Sequence, residues 1–244
     1  LAQSAAWWKR AWWIRIAAAL ILGAGVAGTA AWTLKPAPPS QPLQVIRFTV
    51  PLNRDESLLA PNTLPVPSSV AISPDGRFIA YVTSRAGTQM QTYLRPLDSS
   101  EPRPVSGTEN SYAPVFSPDG QWLAISRAGG GGLLKVPVNG GAAVNFGLST
   151  PFNSSYWGVD GRITVGSASG VQQISDNGGA ARPLTHLRAG EAGHRSPSDL
   201  PGGRGLLFEA DTGPQQSRIV LYDAAANAYR DLIPAGNVPR YSPT

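Results

Sequence analysis

The chain has 244 residues, among them 27 glycines, 23 prolines and no cysteine, and only 14% of its residues are charged. The lack of cysteine excludes disulfides and thiolate metal sites, while the length and the many turn-forming residues suit an all-β domain with a buried core. The net charge of +5 lies at the N-terminus, because residues 1–35 hold four basic and no acidic side chains, against 16 basic and 15 acidic ones in the remainder. This near-neutral remainder argues against nucleic acid as a partner.

The N-terminal segment predicts a membrane anchor. Residues 16–34 form an uncharged run of 19 residues. As a helix this run would be roughly 28 Å long, about the thickness of a bilayer core. Tryptophans flank it and positive charges precede it. We therefore expect a cytoplasmic end at 1–13, a transmembrane helix at 14–34 and an extracytoplasmic remainder.

Two further hypotheses concern the same segment. A cleaved signal peptide is the alternative to an anchor, because Gly28-Thr29-Ala30 has the small residues of a cleavage site. Ala24 and Gly28 have the small-xxx-small spacing that allows two membrane helices to approach closely. Self-association of the chain through this helix is therefore a hypothesis.

The anchor is followed by a linker and a lead-in. Residues 35–44, "KPAPPSQPLQ", predict a Pro-rich, semi-rigid spacer that lifts the following domain off the membrane. Residues 45–65 lead from this spacer into the rest of the chain. Within the lead-in, Ile46–Val50 is typical of an isolated strand.

A hairpin pattern then recurs along the chain. "VAISPDGRFIAYVT" at 70–83 and "PVFSPDGQWLAISR" at 114–127 each predict a strand, a tight turn and a second strand. The proline presets one turn angle, the serine and aspartate bond the turn amides, and the glycine supplies a positive φ. The residues after the second turn alternate with a period of two, as in a strand with one apolar face.

The period of the pattern indicates the fold. Asp75 and Asp119 are 44 residues apart, Asp160 follows after 41, and Gly161 and Gly203 are separated by 42. Four short strands in each period are typical of β-propeller blades, whereas a β-sandwich with coincidental hairpins is the alternative. The predicted structural turns consist of Ser73, Pro74, Asp75, Gly76, Ser117, Pro118, Asp119, Gly120, Asp160, Gly161, Pro201 and Gly203.

We therefore predict an all-β fold, a partial β-propeller of four-stranded blades over 66–244. The predicted blades are 66–106, 107–147, 148–190 and 191–234, and 235–244 begins a fifth. A strand such as Ile46–Val50 commonly completes the last blade of a closed ring. Because the sequence begins with Leu1 and stops inside a blade, we expect a fragment in which this strand lacks its native partner.

The chain offers few candidates for chemistry. It lacks the phosphate loop, strand lysine, catalytic loop and metal-binding motif of a kinase and the G-x-S-x-G turn of a hydrolase, and the four glycines at 129–132 precede no helix. His186, Glu191 and His194 could hold a metal, but their loop has no regular ligand spacing. We expect no catalytic, cofactor or metal site, and we interpret Glu191, His194 and Arg195 as polar residues that tie neighbouring blades together.

The order of the segments resembles one group of bacterial membrane proteins. The predicted helix is followed by "RFTVPL", "SPDGRFIAYV", "YLRPLD", "FSPDGQWLAI", "LLKVPVNGGAAV", "GEAGHRSP" and "LPGGRGLLF". This order is similar to that in transmembrane serine/threonine protein kinases with a C-terminal TolB-like propeller of WD-type repeats, over residues 14–244. The chain departs from the pattern at "GVDG" and "LPGG", and at Ser196, where an aromatic residue often follows His-Arg.

The resemblance implies a single-pass receptor of the bacterial inner membrane. Its kinase domain, with ATP and Mg²⁺, would precede the helix in the cytoplasm, and its propeller would be periplasmic. The expected role of this chain is that of a non-catalytic sensor or interaction domain whose propeller face binds a protein, peptide or glycan. The alternatives are a TolB-like periplasmic scaffold without a kinase and the gating propeller of a prolyl-oligopeptidase-type hydrolase.

Overall fold

The structure is a computed structural model that describes residues 15, 20–25, 29, 49, 52, 56–58, 69–85, 90–99, 101–146, 148, 152–213 and 216–241. The chain divides into two compact units, Leu1–Thr49 and Val50–Thr244, which are described one at a time.

In the first unit, Arg15, residues 20–25 and Thr29 are helical and exposed. The Thr29 hydroxyl donates to the carbonyl oxygen of Gly25 at 3.0 Å. Within the described residues, no helix has the length and the apolar character needed to cross a membrane. The rest of the predicted anchor and linker, and all but Thr49 of the predicted strand Ile46–Val50, lie outside the described residues, so these stay predictions.

The second unit consists of antiparallel sheets, each built from consecutive strands. The first sheet contains β1 (Glu56–Leu58), β2 (Val70–Ile72), β3 (Phe78–Arg85), β4 (Met90–Pro96) and β5 (Arg103–Pro104). The second contains β6 (Ser111–Phe116), β7 (Trp122–Arg127), β8 (Leu133–Pro137) and β9 (Val144–Asn145). The third contains β10 (Phe152–Trp157), β11 (Arg162–Ser167), β12 (Gly170–Ser175) and β13 (Arg182–Pro183). The fourth contains β14 (Gly193–Asp199), β15 (Gly205–Gly213), β16 (Gln216–Asp223) and β17 (Ala228–Ile233).

The repeated turn connects the first two strands of the second sheet. The Ser117 hydroxyl donates to Asp119 Oδ1 at 2.5 Å and accepts from the Trp122 amide at 2.9 Å. Asp119 Oδ1 also accepts from the Gln121 amide at 3.0 Å, and Gly120 has a φ of 70°. The corresponding residues of the first sheet make the same contacts. In both turns the aspartate therefore bonds groups of its own turn.

The third and fourth turns form with fewer side-chain bonds. The third is one residue shorter, because its closing bond runs from the Gly158 amide to the Arg162 carbonyl oxygen. Asp160 Oδ1 still accepts from the Arg162 amide at 3.3 Å, although Gly158 replaces the serine. In the fourth sheet Pro201–Gly203 form a short 3₁₀ turn, in which Gly203 has a φ of 67°. A backbone bond of 2.9 Å from the Leu200 amide to the Gly205 carbonyl oxygen closes it. Glycine conformation and backbone bonding thus replace the missing serine and aspartate.

Hydrophobic cores lie between neighbouring sheets, and the three largest among the described residues follow one another along the chain. The first core joins Ala80 and Leu94 to Phe116, Leu123, Ile125, Leu134 and Val136; the second joins Ala124 and Leu133 to Trp157, Ile163, Val165 and Ile174; the third joins Val171 to Leu206, Phe208, Ala210, Val220 and Tyr222. Each of the two middle sheets therefore buries one face against the preceding sheet and the other face against the following one. This stacking is the arrangement of blades in a partial propeller, which confirms the predicted all-β class.

The burial of strand β7 differs from the pattern that its sequence predicts. A period of two predicts one apolar face, yet Leu123, Ala124 and Ile125 are all fully buried. Leu123 and Ile125 belong to the first core and Ala124 to the second. Because an inner strand of a blade is covered on both faces, neither of its faces is open to solvent.

A bulge interrupts the first strand of the last three sheets. The pairing register shifts between Tyr112 and Val115, between Phe152 and Ser154, and between Arg195 and Ser198. Ala113 and Ser196, each followed by proline, take φ values of 53° and 51°. This left-handed conformation costs a non-glycine residue about 1 kcal/mol or more, so packing must maintain it. The Ser196 amide donates to Ser154 Oγ in the third sheet at 2.6 Å.

Candidate binding site

The loop before the fourth sheet is held by a buried carboxylate. The side chain of Glu191 has no exposed surface. It accepts from the Arg188 amide (2.6 Å), Arg188 Nε (2.9 Å), Arg218 Nη2 (2.7 Å) and His194 Nε2 (3.0 Å). Burial alone would raise the pKa of Glu191, but these four donors outweigh it and lower the pKa to about 2. The carboxylate is therefore an ionised anchor whose oxygens are already engaged.

His194 connects the third sheet to the fourth. Its fully buried ring lies against Phe208, with the ring centroids 4.3 Å apart. Its Nδ1 lies 2.7 Å from the Thr185 hydroxyl, which accepts from the Val171 amide at 2.7 Å. We assign the ring proton to Nε2, so that Thr185 donates to Nδ1 and Nε2 donates to Glu191. Burial lowers the pKa of His194, against the opposing effect of Glu191.

The remaining residues singled out in this part of the sequence lie in different surroundings. Arg195 Nη2 pairs with Asp211 Oδ2 at 2.5 Å, between strands β14 and β15 of one sheet. The His186 amide donates to the hydroxyl of Tyr229 on β17 at 2.8 Å. In the part of the chain that the structure describes, no three His, Cys, Asp or Glu side chains are grouped so that they could hold a metal ion.

A cleft of about 740 Å³ opens between the third and fourth sheets. It lies at the end of the sheets that carries the repeated turns, since Asp160, Pro201 and Gly203 all line it. The described lining residues come only from these two sheets, their turns and the segment after β17. Two predicted turns thus meet in one cleft, whereas the turns of the first two sheets do not contribute to it.

Asp199, the last residue of β14, lies half-buried in this cleft. Both of its carboxylate oxygens lie 3.3 Å from the Thr164 hydroxyl, which in turn accepts from Gln173 Nε2 at 3.3 Å. Burial raises the pKa of Asp199 to about 6; Thr164 opposes this rise, and the charge of Asp160 adds to it. An ionisable group with a raised pKa in a cleft is a candidate for ligand recognition.

Our sequence predictions did not include Asp199 or Thr164, although the repeat contains a signal for both. The residue before the turn is Ile72, Phe116 and Trp157 in the first three copies and Asp199 in the fourth. Thr164 lies opposite Tyr156 in the strand register, and the matching position holds Ala80, Ala124 and Leu207 in the other copies. Two positions that are otherwise apolar are therefore polar here, and the two side chains contact each other across neighbouring sheets.

No family model matches the chain. A protein of Bacillus subtilis (strain 168) named "Uncharacterized peptidase YuxL" is 27% identical over 150 residues, which cover 57% of this chain and 21% of the relative. The chain thus spans about a fifth of the length of that curated relative.

Solved structures resemble the chain in fold. A putative TolB from Agrobacterium tumefaciens has a TM-score of 0.58 and 19% identity, with 68% of this chain and 66% of that chain covered. A prolyl endopeptidase has a TM-score of 0.52 and 15% identity, with 75% of this chain and 29% of that chain covered. Together with the four stacked sheets, these similarities show that the chain has a TolB-like β-propeller fold.

Proposed function

We propose that this chain is the extracytoplasmic sensor and protein-interaction propeller of a membrane-anchored serine/threonine kinase-like receptor, and that it has no catalytic site of its own. The observation that chiefly supports a binding role is the cleft of about 740 Å³ between the third and fourth sheets. A cleft that is bordered by loops on stacked, rigid sheets suits the capture of a ligand. The sequence resemblance supplies the receptor context, which the fold alone does not specify.

In this proposal, residues 14–34 anchor the chain in the bacterial inner membrane. Residues 1–13 lie in the cytoplasm, next to an upstream kinase domain that binds ATP and Mg²⁺, and the propeller lies in the periplasm. A protein, peptide or glycan binds to the propeller and changes the association between chains, to which Ala24 and Gly28 contribute a close helix contact. The signal then passes through the single helix.

The experiment uses the full-length gene product in native membrane vesicles. With ATP and Mg²⁺ we expect phosphate to be incorporated on serine or threonine, and in vesicles with the periplasmic face outward we expect added protease to remove the propeller. A full-length product that incorporates no phosphate contradicts the receptor-kinase proposal. A propeller that is protected from protease in those vesicles contradicts the proposed topology.

A second candidate is the gating propeller of a prolyl-oligopeptidase-type hydrolase. The partial similarity to a peptidase of Bacillus subtilis and the fold similarity to a prolyl endopeptidase favour it. The same full-length product would then release p-nitroaniline from a Gly-Pro-p-nitroanilide substrate and incorporate no phosphate. A TolB-like periplasmic scaffold, favoured by the similarity to TolB, would show neither activity.

A further inference from the structure

The cleft between the third and fourth sheets contains a carboxylate without a cationic partner. Among the described residues, no lysine or arginine pairs with Asp199, and its hydrogen bonds come from the single hydroxyl of Thr164. A hydroxyl has one proton, so it can donate to only one of the two carboxylate oxygens at a time. A half-buried carboxylate with one neutral donor is poorly compensated for the water it has lost.

The surroundings of Asp199 increase its negative potential. A Cβ atom on Gly158 would lie 2.5 Å from Asp160 Oδ1 and 3.4 Å from Asp199 Oδ2, so the two carboxylates border the same small space. Glycine at position 158 leaves this space open. Tyr156 also lines the cleft, and its pKa is raised by burial first and then by the charges of Asp199 and Asp160, against the smaller opposing effect of Arg240.

We propose that this cleft binds a peptide segment through a cationic group, either a lysine or arginine side chain or a free amino terminus, which pairs with Asp199 beside Asp160 and Tyr156. A cation at this point supplies the charge partner that the fold withholds from Asp199. The ring of Tyr156 adds an aromatic face to the same site. This inference deepens the binding role proposed above and rests on it only in that the propeller binds a ligand.

The rest of the lining favours a peptide over a simple polyamine. Three arginines, Arg162, Arg182 and Arg240, line the cleft together with the two aspartates. Arg162 Nε lies 3.8 Å from Asp160 Oδ2, and more than half of its side chain is exposed. A ligand that carried only positive charges would be repelled by these guanidinium groups, whereas they attract the carbonyl oxygens and the terminal carboxylate of a peptide.

The repeat comparison supports a selected role for this pair of residues. In the other three copies the position of Asp199 holds a large apolar side chain, and that of Thr164 holds alanine or leucine. Aspartate at position 199 gives up the apolar packing of such a side chain at the point where the cleft opens. A binding site accounts for this loss, because sites of recognition commonly reduce stability.

The test measures peptide binding to the full chain by isothermal titration calorimetry at pH 7.5. The probes are N-acetyl-Ala-Lys-Ala and N-acetyl-Ala-Met-Ala, both with a free carboxyl terminus, and spermidine. We expect the lysine peptide to bind about tenfold more tightly than the methionine peptide and more tightly than spermidine. The preference for lysine should shrink at pH 5, where Asp199 is largely protonated.

Two variants separate the site from general charge effects. Asp199→Asn should abolish the preference for lysine, whereas Asp98→Asn, at an exposed turn of the first sheet, should retain it. Equal binding of the two peptides, tighter binding of spermidine than of the lysine peptide, or an unchanged preference in Asp199→Asn would overturn the inference. None of these results bears on the phosphorylation and hydrolysis assays of the full-length product, so the two proposals fail separately.

A second measurement uses the wild-type chain and needs no variant. The ¹³C signal of the Asp199 carboxyl, followed by NMR as a function of pH, reports its pKa in the wild-type chain. We expect saturating lysine peptide to lower this pKa and the methionine peptide to leave it unchanged. Identical titration curves with the two peptides would contradict the proposed contact.

Discussion

Among single residues, Glu191 makes the largest set of charge-assisted hydrogen bonds in its loop. Its buried carboxylate receives two bonds from Arg188, one from Arg218 and one from His194. Glu191→Gln removes the charge and leaves Arg188 and Arg218 with only the partly exposed Asp231, among the described residues, as a counter-ion. We expect the free energy of unfolding at pH 7 to fall by about 3 kcal/mol, measured by urea unfolding with tryptophan fluorescence. The exposed Glu101 provides the control, since Glu101→Gln should change the free energy of unfolding little.

The contribution of Glu191 also depends on pH. Its pKa is about 2 in the folded chain, below the ordinary value of 4.5. The stabilisation is therefore complete above about pH 4.5 and is lost as the pH falls toward about 2. The unfolding free energies of the wild type and Glu191→Gln should converge over that range. A constant difference between pH 7 and pH 2 would contradict this role of the carboxylate.

The ionised form of Asp199 destabilises the fold, in contrast to that of Glu191. Its pKa is raised to about 6 from an ordinary 3.8, so the folded state binds the proton more tightly than the unfolded state. Stability therefore decreases as the pH rises from about 4 to about 6. Asp199→Asn should raise the unfolding free energy at pH 8 by about 1 to 2 kcal/mol and change it little at pH 4. Urea unfolding at the two pH values checks this, and destabilisation at pH 8 would argue for a structural role instead.

At this scale the sequence predicted which loop is polar, but not how its residues pair. Glu191, His194 and Arg195 were interpreted together, yet the ion pair of Arg195 lies within one sheet, while His194 bonds to Thr185 of the preceding blade. The partner Arg218 is 27 residues from Glu191, and no local pattern relates two residues at that distance. Asp199 could have been noticed, because it interrupts an apolar position of the repeat.

Among the elements, strand β8 carries a lysine that joins two blades. Lys135 Nζ lies 4.6 Å from the ring centroid of Trp122 in its own sheet and 5.4 Å from that of Trp157 in the next. It also donates to the Asp176 carbonyl oxygen at 2.9 Å. The ammonium group is thus held between two aromatic faces and a carbonyl group that belongs to the third sheet.

Lys135→Met should lower the free energy of unfolding by about 1 to 2 kcal/mol, since it removes both cation–π contacts and the hydrogen bond. Lys135→Arg keeps a cation and a donor, so its free energy of unfolding should fall by less than half as much as that of Lys135→Met. Urea unfolding of the two variants beside the wild type gives the comparison. Equal losses in the two variants would show that shape rather than charge matters at this position.

The turns were the elements that the sequence predicted best. Serine, aspartate and glycine at fixed positions determine a turn locally, and Asp119 accepts hydrogen bonds from the Ser117 hydroxyl and the Gln121 amide. The bulges at Ala113 and Ser196 were not predicted, because their positive φ occurs at non-glycine residues and is maintained by packing. The burial of Leu123 and Ile125 on the opposite face from Ala124 was also missed, because alternation along a strand does not reveal a second covering sheet.

At the scale of the whole molecule, each sheet is stabilised by its neighbours, because the hydrophobic cores lie between sheets. Strand β17 is the last strand of the fourth sheet, and most of its residues are exposed, whereas the middle strand β15 carries the fully buried Phe208. We expect backbone amides of β17 to exchange with deuterium at least about tenfold faster than those of β15. Mass spectrometry of peptides from the two strands measures this. Equal rates would indicate that the fourth sheet opens only as a unit.

The architecture as a whole was predictable because the repeat period and the strand length both follow from short-range chemistry. A spacing of 41–44 residues between turns leaves room for four strands, and stacking is the way such small sheets bury two faces. The cleft was not predictable. It arises where the Gly158 turn of one sheet meets the Pro201 turn of the next, and only the packing of the sheets brings these segments together.

Strand β14 has one further consequence, for acidification. Because burial lowers the pKa of His194, acidification below the ordinary histidine pKa of 6.5 favours the unfolded state, whereas the raised pKa of Asp199 makes acidification from about pH 6 to about pH 4 favour the folded state. The two changes oppose each other along a single strand. In the proposal of a cationic ligand, mild acid therefore neutralises Asp199, the group that holds the ligand, in a range where the gain at Asp199 offsets the loss at His194.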